Sequence, residues 1–322
     1  MNLAFVFPGQ ASQYVGMGRT LWDRYPEVKE HYDLTNEILD MDIAHLSFYG
    51  PEEQLTQTDN TQPAIFALSM ALFMLLHKGE VVPLVVAGHS LGEYSALVAA
   101  GVLPYEEALP IVQLRGQLMR EAGQRRPGTM AAIIGLPADR VEQLCASASD
   151  AGVVQLANHN SPLQLVISGE VSGVQKAMAL AKEEGARRVI NLSVSGAFHS
   201  PLMADALEPL AAALEEAEFR PPKIPVIANV TAEPAEDPEK IKELLIQQLV
   251  SPVRWSESIE QMGKMGTDLF LEVGPGKVLQ GLMRRIAPEV ETLGVDGVEE
   301  LEAALARCRS SISTMSSSED SV

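Results

Sequence analysis

Cysteine is almost missing from this sequence: Cys145 and Cys308 are the only two in 322 residues. They lack metal-ligand spacing and are too few for a disulfide scaffold, which favours a reducing compartment. Positive charge is also short. Lysine and arginine number 24 against 43 aspartates and glutamates, a formal net charge of −19, and so acidic a chain is a poor partner for nucleic acid or an anionic membrane surface. No apolar run reaches the ~20 residues a bilayer needs. The most apolar stretch, 64–76, reads instead as a buried helix with Pro63 at its start and Gly79 at its end. The N-terminus has no basic region and its apolar run breaks at Pro8-Gly9, so it reads as a first strand rather than a signal peptide, with the cytoplasm as the expected location. Internal repeats are absent. Gly274-Pro275-Gly276 fits neither the dinucleotide nor the P-loop spacing and reads as a tight turn.

What is present begins with a hydrophobic content of 46%, enough to bury a full core, and a length that suggests about two domains. Residues 84–101 organise the rest. A β-branched apolar run, 84–87, predicts a short buried strand, and residues 91–100 predict a helix stopped by Gly101. Between them stands Gly88-His89-Ser90-Leu91-Gly92, the pattern G-x-S-x-G of a nucleophile elbow. A serine on a sharp strand-to-helix turn needs glycines two residues to either side, because neighbouring backbone passes very close. The turn lifts the Ser90 hydroxyl clear and offers the Leu91 N–H, at a helix N-terminus, to a developing oxyanion. A glycine-rich turn with an incidental serine is the competing reading of this motif alone.

In chain order, 3–7 predicts a strand whose carboxyl-end loop, Pro8 to Gln13, lies where open α/β sheets bind ligands, making Gln10 a candidate site residue. The helix predicted over 105–122 carries Arg115 among Ile111, Leu114, Leu118 and Met119. A guanidinium so placed needs a partner, either a structural acid or a substrate anion. Residues 128–198 change character: strand 129–136, helix 138–147, strands 153–157 and 165–168, helix 171–184, strand 188–194. That order, β-α-β-β-α-β, is the ferredoxin-like unit, here inserted into a larger α/β domain formed by 1–127 and 199–308. The expected architecture is thus a hydrolase-like, mostly parallel sheet with a small subdomain set over its elbow to form a cleft. Further on, a helix is expected over 201–217, strands over 224–230, 269–273 and 292–295, and helices over 238–249, 278–286 and 298–307. The serine-rich tail, 309–322, is expected to be disordered.

Serine needs a base, usually histidine. Of the six histidines, His31, His45 and His77 sit in helical stretches without a convergent motif, and His89, next to the nucleophile, diverges from it. His159 and His199 remain. None follows His199, so the late histidine of an ordinary α/β-hydrolase triad is missing, which counts against an esterase or lipase. His199, in a small-residue loop leaving the inserted unit at the cleft, is the better base, with a structural histidine as the alternative.

Five motifs then line up in order and spacing: Phe7-Pro8-Gly9-Gln10-Ala11-Ser12-Gln13, Gly88 to Glu93, Gly196-Ala197-Phe198-His199-Ser200, Pro252-Val253-Arg254-Trp255 and Leu271 to Gly276. Together they closely resemble the malonyl-CoA:acyl carrier protein transacylases, over nearly everything from Leu3 to Arg307. Ala11 departs from the glycine common in that family. The resemblance implies a Ser90–His199 dyad, with His199 oriented by backbone carbonyls around Gln248, an oxyanion hole from the N–H groups of Gln10 and Leu91, and Arg115 as holder of the malonyl carboxylate. Asn158 and Asn160 are implied to line the cleft, and Phe198 to favour malonyl over methylmalonyl. It further implies ping-pong transfer from the CoA thioester to acyl carrier protein in fatty acid or polyketide assembly, with no permanently bound cofactor and no metal. An acidic carrier protein would dock on a local basic edge, for which Lys182, Arg187, Arg188, Lys277, Arg284 and Arg285 are the candidates. A monomer is expected. The alternatives are a serine esterase or thioesterase and a non-catalytic scaffold of the same fold.

Overall fold

The strands of the structure, a computed structural model that describes residues 1–319 and of 310–319 only the backbone, divide between two sheets. In chain order they are β1 (Leu3–Phe7), β2 (Val85–Gly88), β3 (Thr129–Ile134), β4 (Val154–Ser161), β5 (Gln164–Gly169), β6 (Arg188–Leu192), β7 (Val226–Ile227), β8 (Pro234–Ala235), β9 (Leu269–Val273) and β10 (Glu291–Val295).

The first sheet has the order β10-β9-β1-β2-β7-β8 and is parallel except for β8. Its central strands β1, β2 and β9 are buried along their whole length, as a parallel sheet covered on both faces requires. Alternation sorts the side chains: Ala4, Val6, Ala87 and Phe270 pack with Trp255, Ile259 and Leu282, whereas Phe5, Phe7, Val86 and Leu271 join the main core with the helix Thr58–Lys78. The second sheet, β4-β5-β3-β6, is antiparallel. The helices Ala138–Ala148 and Val171–Glu183 cover one of its faces over a separate core that includes Ile133, Leu144, Leu165 and Val174. The alternate residues Met130, Ala132 and Val166 turn the other way, toward the main core. Val253 stitches the two sheets together: its N–H donates to the Ala157 carbonyl at 2.8 Å, and its carbonyl accepts from the His159 N–H at 2.9 Å.

Several elements differ from expectation, each for a local reason. The helix placed after Pro63 starts at Thr58 with Pro63 inside it; a proline this early removes one backbone bond and the buried apolar face outweighs it. Strand 224–230 shrinks to β7, because the chain reverses at Ala232 (φ +58°) and returns as the unforeseen β8. The helix expected from Pro201 begins as a 3₁₀ turn, Pro201–Ala206, before Leu207–Glu216. β4 runs on through Ser161, carrying Asn158 and Asn160 on a strand. The last helix, Val298–Glu319, continues through most of the serine-rich tail expected to be disordered, since extending a formed helix adds one hydrogen bond per residue without a new nucleation cost. Residues 320–322 of that expectation lie outside the described residues. Among the described residues no helix is long and apolar enough to cross a membrane.

Candidate active site

Ser90 sits between the end of β2 and the helix Gly92–Ala99 with φ at +53°, a left-handed conformation that costs a non-glycine residue about 1–2 kcal/mol. The flanking glycines are demanded by contact. A Cβ on Gly88 would lie 1.8 Å from the Gly92 carbonyl oxygen, and one on Gly92 would lie 2.1 Å from that of Phe7. Asn229 holds the strained bend from below: the Ser90 N–H donates to its Oδ1 at 2.7 Å, and its Nδ2 donates to the Gly88 carbonyl at 2.7 Å.

The Ser90 hydroxyl lies 2.8 Å from His199 Nε2, and His199 Nδ1 lies 2.7 Å from the Gln248 carbonyl oxygen. A carbonyl only accepts, so Nδ1 carries the hydrogen and the Nε2 lone pair faces the serine. Burial, reinforced by the Arg115 guanidinium, pushes His199 down to about 3, and the ring is neutral. Gln155 secures the loop behind it by donating from Nε2 to the carbonyls of His199 at 2.9 Å and Val250 at 3.0 Å.

Gln10 and Leu91 both line the cavity beside Ser90, and neither backbone N–H makes a hydrogen bond among the described residues. Leu91 is the residue from which the elbow helix starts. The Gln10 loop is pressed against the elbow, because a Cβ on Gly9 would lie 2.4 Å from the His89 carbonyl oxygen. Ser12 Oγ donates back to the Gly9 carbonyl at 2.7 Å, and Ala11 is held at φ +80°.

Arg115 is 1% exposed. Of the two partners open to it from sequence, the structural acid is not there: no carboxylate forms an ion pair with it among the described residues. Nη1 donates to Gln62 Oε1 at 2.7 Å, and Nη2 donates to Gln248 Oε1 at 2.8 Å and to Ser90 Oγ at 3.0 Å. The guanidinium stands 5.7 Å from the Tyr94 ring centroid, and its Nε has no partner. Neutral amides thus hold a cation against the Ser90 hydroxyl without cancelling its charge.

These groups meet in a cavity of about 330 Å³ between the two sheets. Every catalytic, oxyanion or substrate-binding candidate taken from the sequence lines it except Gln248, which is fully buried beneath it and acts on Ser90, His199 and Arg115 rather than on anything in the cleft. Asn158 and Asn160, two apart on β4, share the cavity face, and Asn160 Oδ1 lies 2.8 Å from His89 Nε2. His159 faces away and pairs with Glu257 at 3.1 Å. Phe198, Met119 and Met130 supply apolar wall. Lys182, Arg187, Arg188, Lys277, Arg284 and Arg285 are all exposed, and Arg285 donates to Gln164 at the cleft wall. The sequence reading missed Gln62, Gln155 and Asn229, and gave Glu93 no role beyond closing the Gly88 to Glu93 motif. Each acts through residues remote in the chain, and no local motif marks Gln62, Gln155 or Asn229.

Residues 4–302 match the family model described as the acyl transferase domain. Curated relatives include the malonyl CoA-acyl carrier protein transacylases of Bacillus subtilis strain 168, 44% identical over 305 residues covering 94% of this chain and 96% of that protein, and of Escherichia coli K12, 42% identical over 306 residues covering 95% and 98%. The crystal structure of an acyl carrier protein S-malonyltransferase from Vibrio cholerae superimposes with a TM-score of 0.91 at 46% identity, over 94% of this chain and 100% of that one. A malonyl-transacylase in complex with its type II PKS acyl-carrier protein superimposes with a TM-score of 0.92 at 40% identity, over 95% and 100%.

Proposed function

The chain belongs to the acyl transferase family, as one of its malonyl-CoA:acyl carrier protein transacylases, and from that membership we propose that it carries malonyl from malonyl-CoA to the phosphopantetheine thiol of acyl carrier protein as an ester on Ser90. The observation that carries this reading is the meeting, on one serine oxygen, of His199 Nε2 and a guanidinium that no carboxylate among the described residues touches.

Ser90 Oγ attacks the thioester carbonyl while His199 Nε2 takes the hydroxyl proton, and the tetrahedral oxyanion sits against the N–H groups of Gln10 and Leu91, each worth about 3 kcal/mol in the transition state. Collapse breaks the C–S bond, and Nε2 returns its proton to the departing CoA sulfur. The carrier protein's thiol then gives its proton to Nε2 and attacks the ester, and Ser90 leaves as the hydroxyl. The Gln248 carbonyl, on Nδ1–H, stabilises the imidazolium in both halves.

Arg115 gives the reaction its selectivity. A malonyl carboxylate accepts from the guanidinium, whereas acetyl leaves a buried cation unmatched. The same carboxylate offsets the charge that depresses His199, so the base strengthens when the right substrate is bound. Phe198 crowds the α-carbon, Asn158 and Asn160 line the cleft, and the exposed cations Lys182, Arg187, Arg188, Arg284 and Arg285 offer an acidic carrier protein its docking edge. On this reading the protein acts in the cytoplasm as a monomer without a resident cofactor.

Intact-mass measurement tests it. Malonyl-CoA should add one malonyl group to the protein, holo carrier protein should remove it, and Ser90→Ala should show no adduct. Free malonate released at one rate with and without carrier protein would mark a hydrolase instead.

A further inference from the structure

Glu93 is a buried acid that none of these steps uses. It is 3% exposed and is not part of the cavity wall. Its Oε2 accepts from Gln248 Nε2 at 2.6 Å, and its Oε1 accepts from the Asn229 N–H at 3.3 Å. The same Gln248 amide donates to the Ser90 carbonyl at 3.0 Å and accepts from Arg115 Nη2 at 2.8 Å. It also donates to Asn229 Oδ1 at 3.4 Å, and flipping the amide would set N–H against N–H at the arginine and oxygen against oxygen at the other three contacts, so its four neighbours agree on one orientation. A buried carboxylate and a buried guanidinium are therefore joined through one amide instead of touching.

We propose that Glu93 is the internal counter-charge of Arg115, and that its placement one amide away sets how tightly the arginine holds a substrate carboxylate. A direct ion pair would occupy the donors that the substrate needs. With no acid nearby, the bare cation would grip any carboxylate too strongly to hand it on. Glu93 is thus a positioning residue that acts through Gln248, and this inference rests on the malonyl reading above. Its sign is distinctive, because removing the charge should tighten anion binding, whereas damage to the elbow would weaken it.

The site also responds to pH in a defined direction. Burial pushes Glu93 up to about 7 against the pull of Gln248, Asn229 and Arg115. The other titratable groups around it hold their charge state through neutrality: Arg115 stays protonated, burial keeps the Tyr94 hydroxyl neutral, and His199 at about 3 and His89, lowered by burial, stay unprotonated. Glu93 is therefore ionised above about 7 and neutral below it, and the carboxylate affinity of the wild-type site should rise as pH falls through that value.

Calorimetric titration of the full chain with free malonate, and with acetate at matched ionic strength, tests this at about pH 8.5. Glu93→Gln should bind malonate roughly fivefold more tightly than wild type. Wild type should gain a similar factor on moving to about pH 6.5, while Glu93→Gln stays flat. Weaker or equal malonate binding by Glu93→Gln, or a wild-type affinity that is level or falls with acidification, overturns the inference, and the wild-type series needs no variant to fold. Wild type binding malonate no better than acetate, unaffected by Arg115→Ala, would remove the malonyl reading and the counter-charge role with it.

Discussion

The two sheets face one cleft, yet they furnish it differently. From the parallel sheet's side come Ser90, bonded through its N–H, carbonyl and hydroxyl, and Gln248, bonded through its carbonyl and both amide atoms. The antiparallel sheet sends Asn160 with one bond to His89, Gln164 with one from Arg285, the apolar Val166, and Leu192 from β6, a mostly exposed strand at an edge of the sheet. Convergent bonding on one wall fixes Ser90 and the groups that meet it, and sparser bonding on the other leaves shape to side-chain packing.

That contrast can be broken by substitution. The largest loss should follow His199→Ala, about a thousandfold in malonyl loading measured by rapid-quench mass spectrometry. Arg115→Ala should lower malonyl loading about a hundredfold while acetyl loading falls less or rises; equal losses would remove the carboxylate clamp. On the other wall, Asn160→Ala should cost under about tenfold in kcat/KM, the worth of one hydrogen bond, and a loss as large as that of Arg115→Ala would erase the distinction between the walls. The smallest effect sharpens the picture. Ala11, at φ +80°, should gain about 1 kcal/mol of stability on Ala11→Gly, read by urea unfolding, because glycine adopts that conformation without a Cβ clash.

The elbow and the order of the inserted unit were legible because each rests on local pattern: glycines at fixed offsets from Ser90, and alternating apolar residues in short strands. Elimination left His159 and His199, and the small-residue loop at the end of the inserted unit favoured His199. Arg115 was recognised as needing a partner, but the identity of that partner was hidden, because Gln62 and Gln248 reach it across 53 and 133 residues. Asn229 was equally invisible, 139 residues from the backbone it clasps. Helix boundaries failed where a single residue was read too literally, as at Pro63, whose lost hydrogen bond matters less than the burial of Ala64, Ile65 and Phe66.

Val253 laces β4 to the opposite wall by two backbone bonds, and Gln155, on the same strand, ties it to His199 and Val250. Opening the cleft along that seam would cost the hydrogen bonds that form it. Phe198 and Met130, which line the cleft between those tied segments, are the side chains whose volume meets whatever enters it.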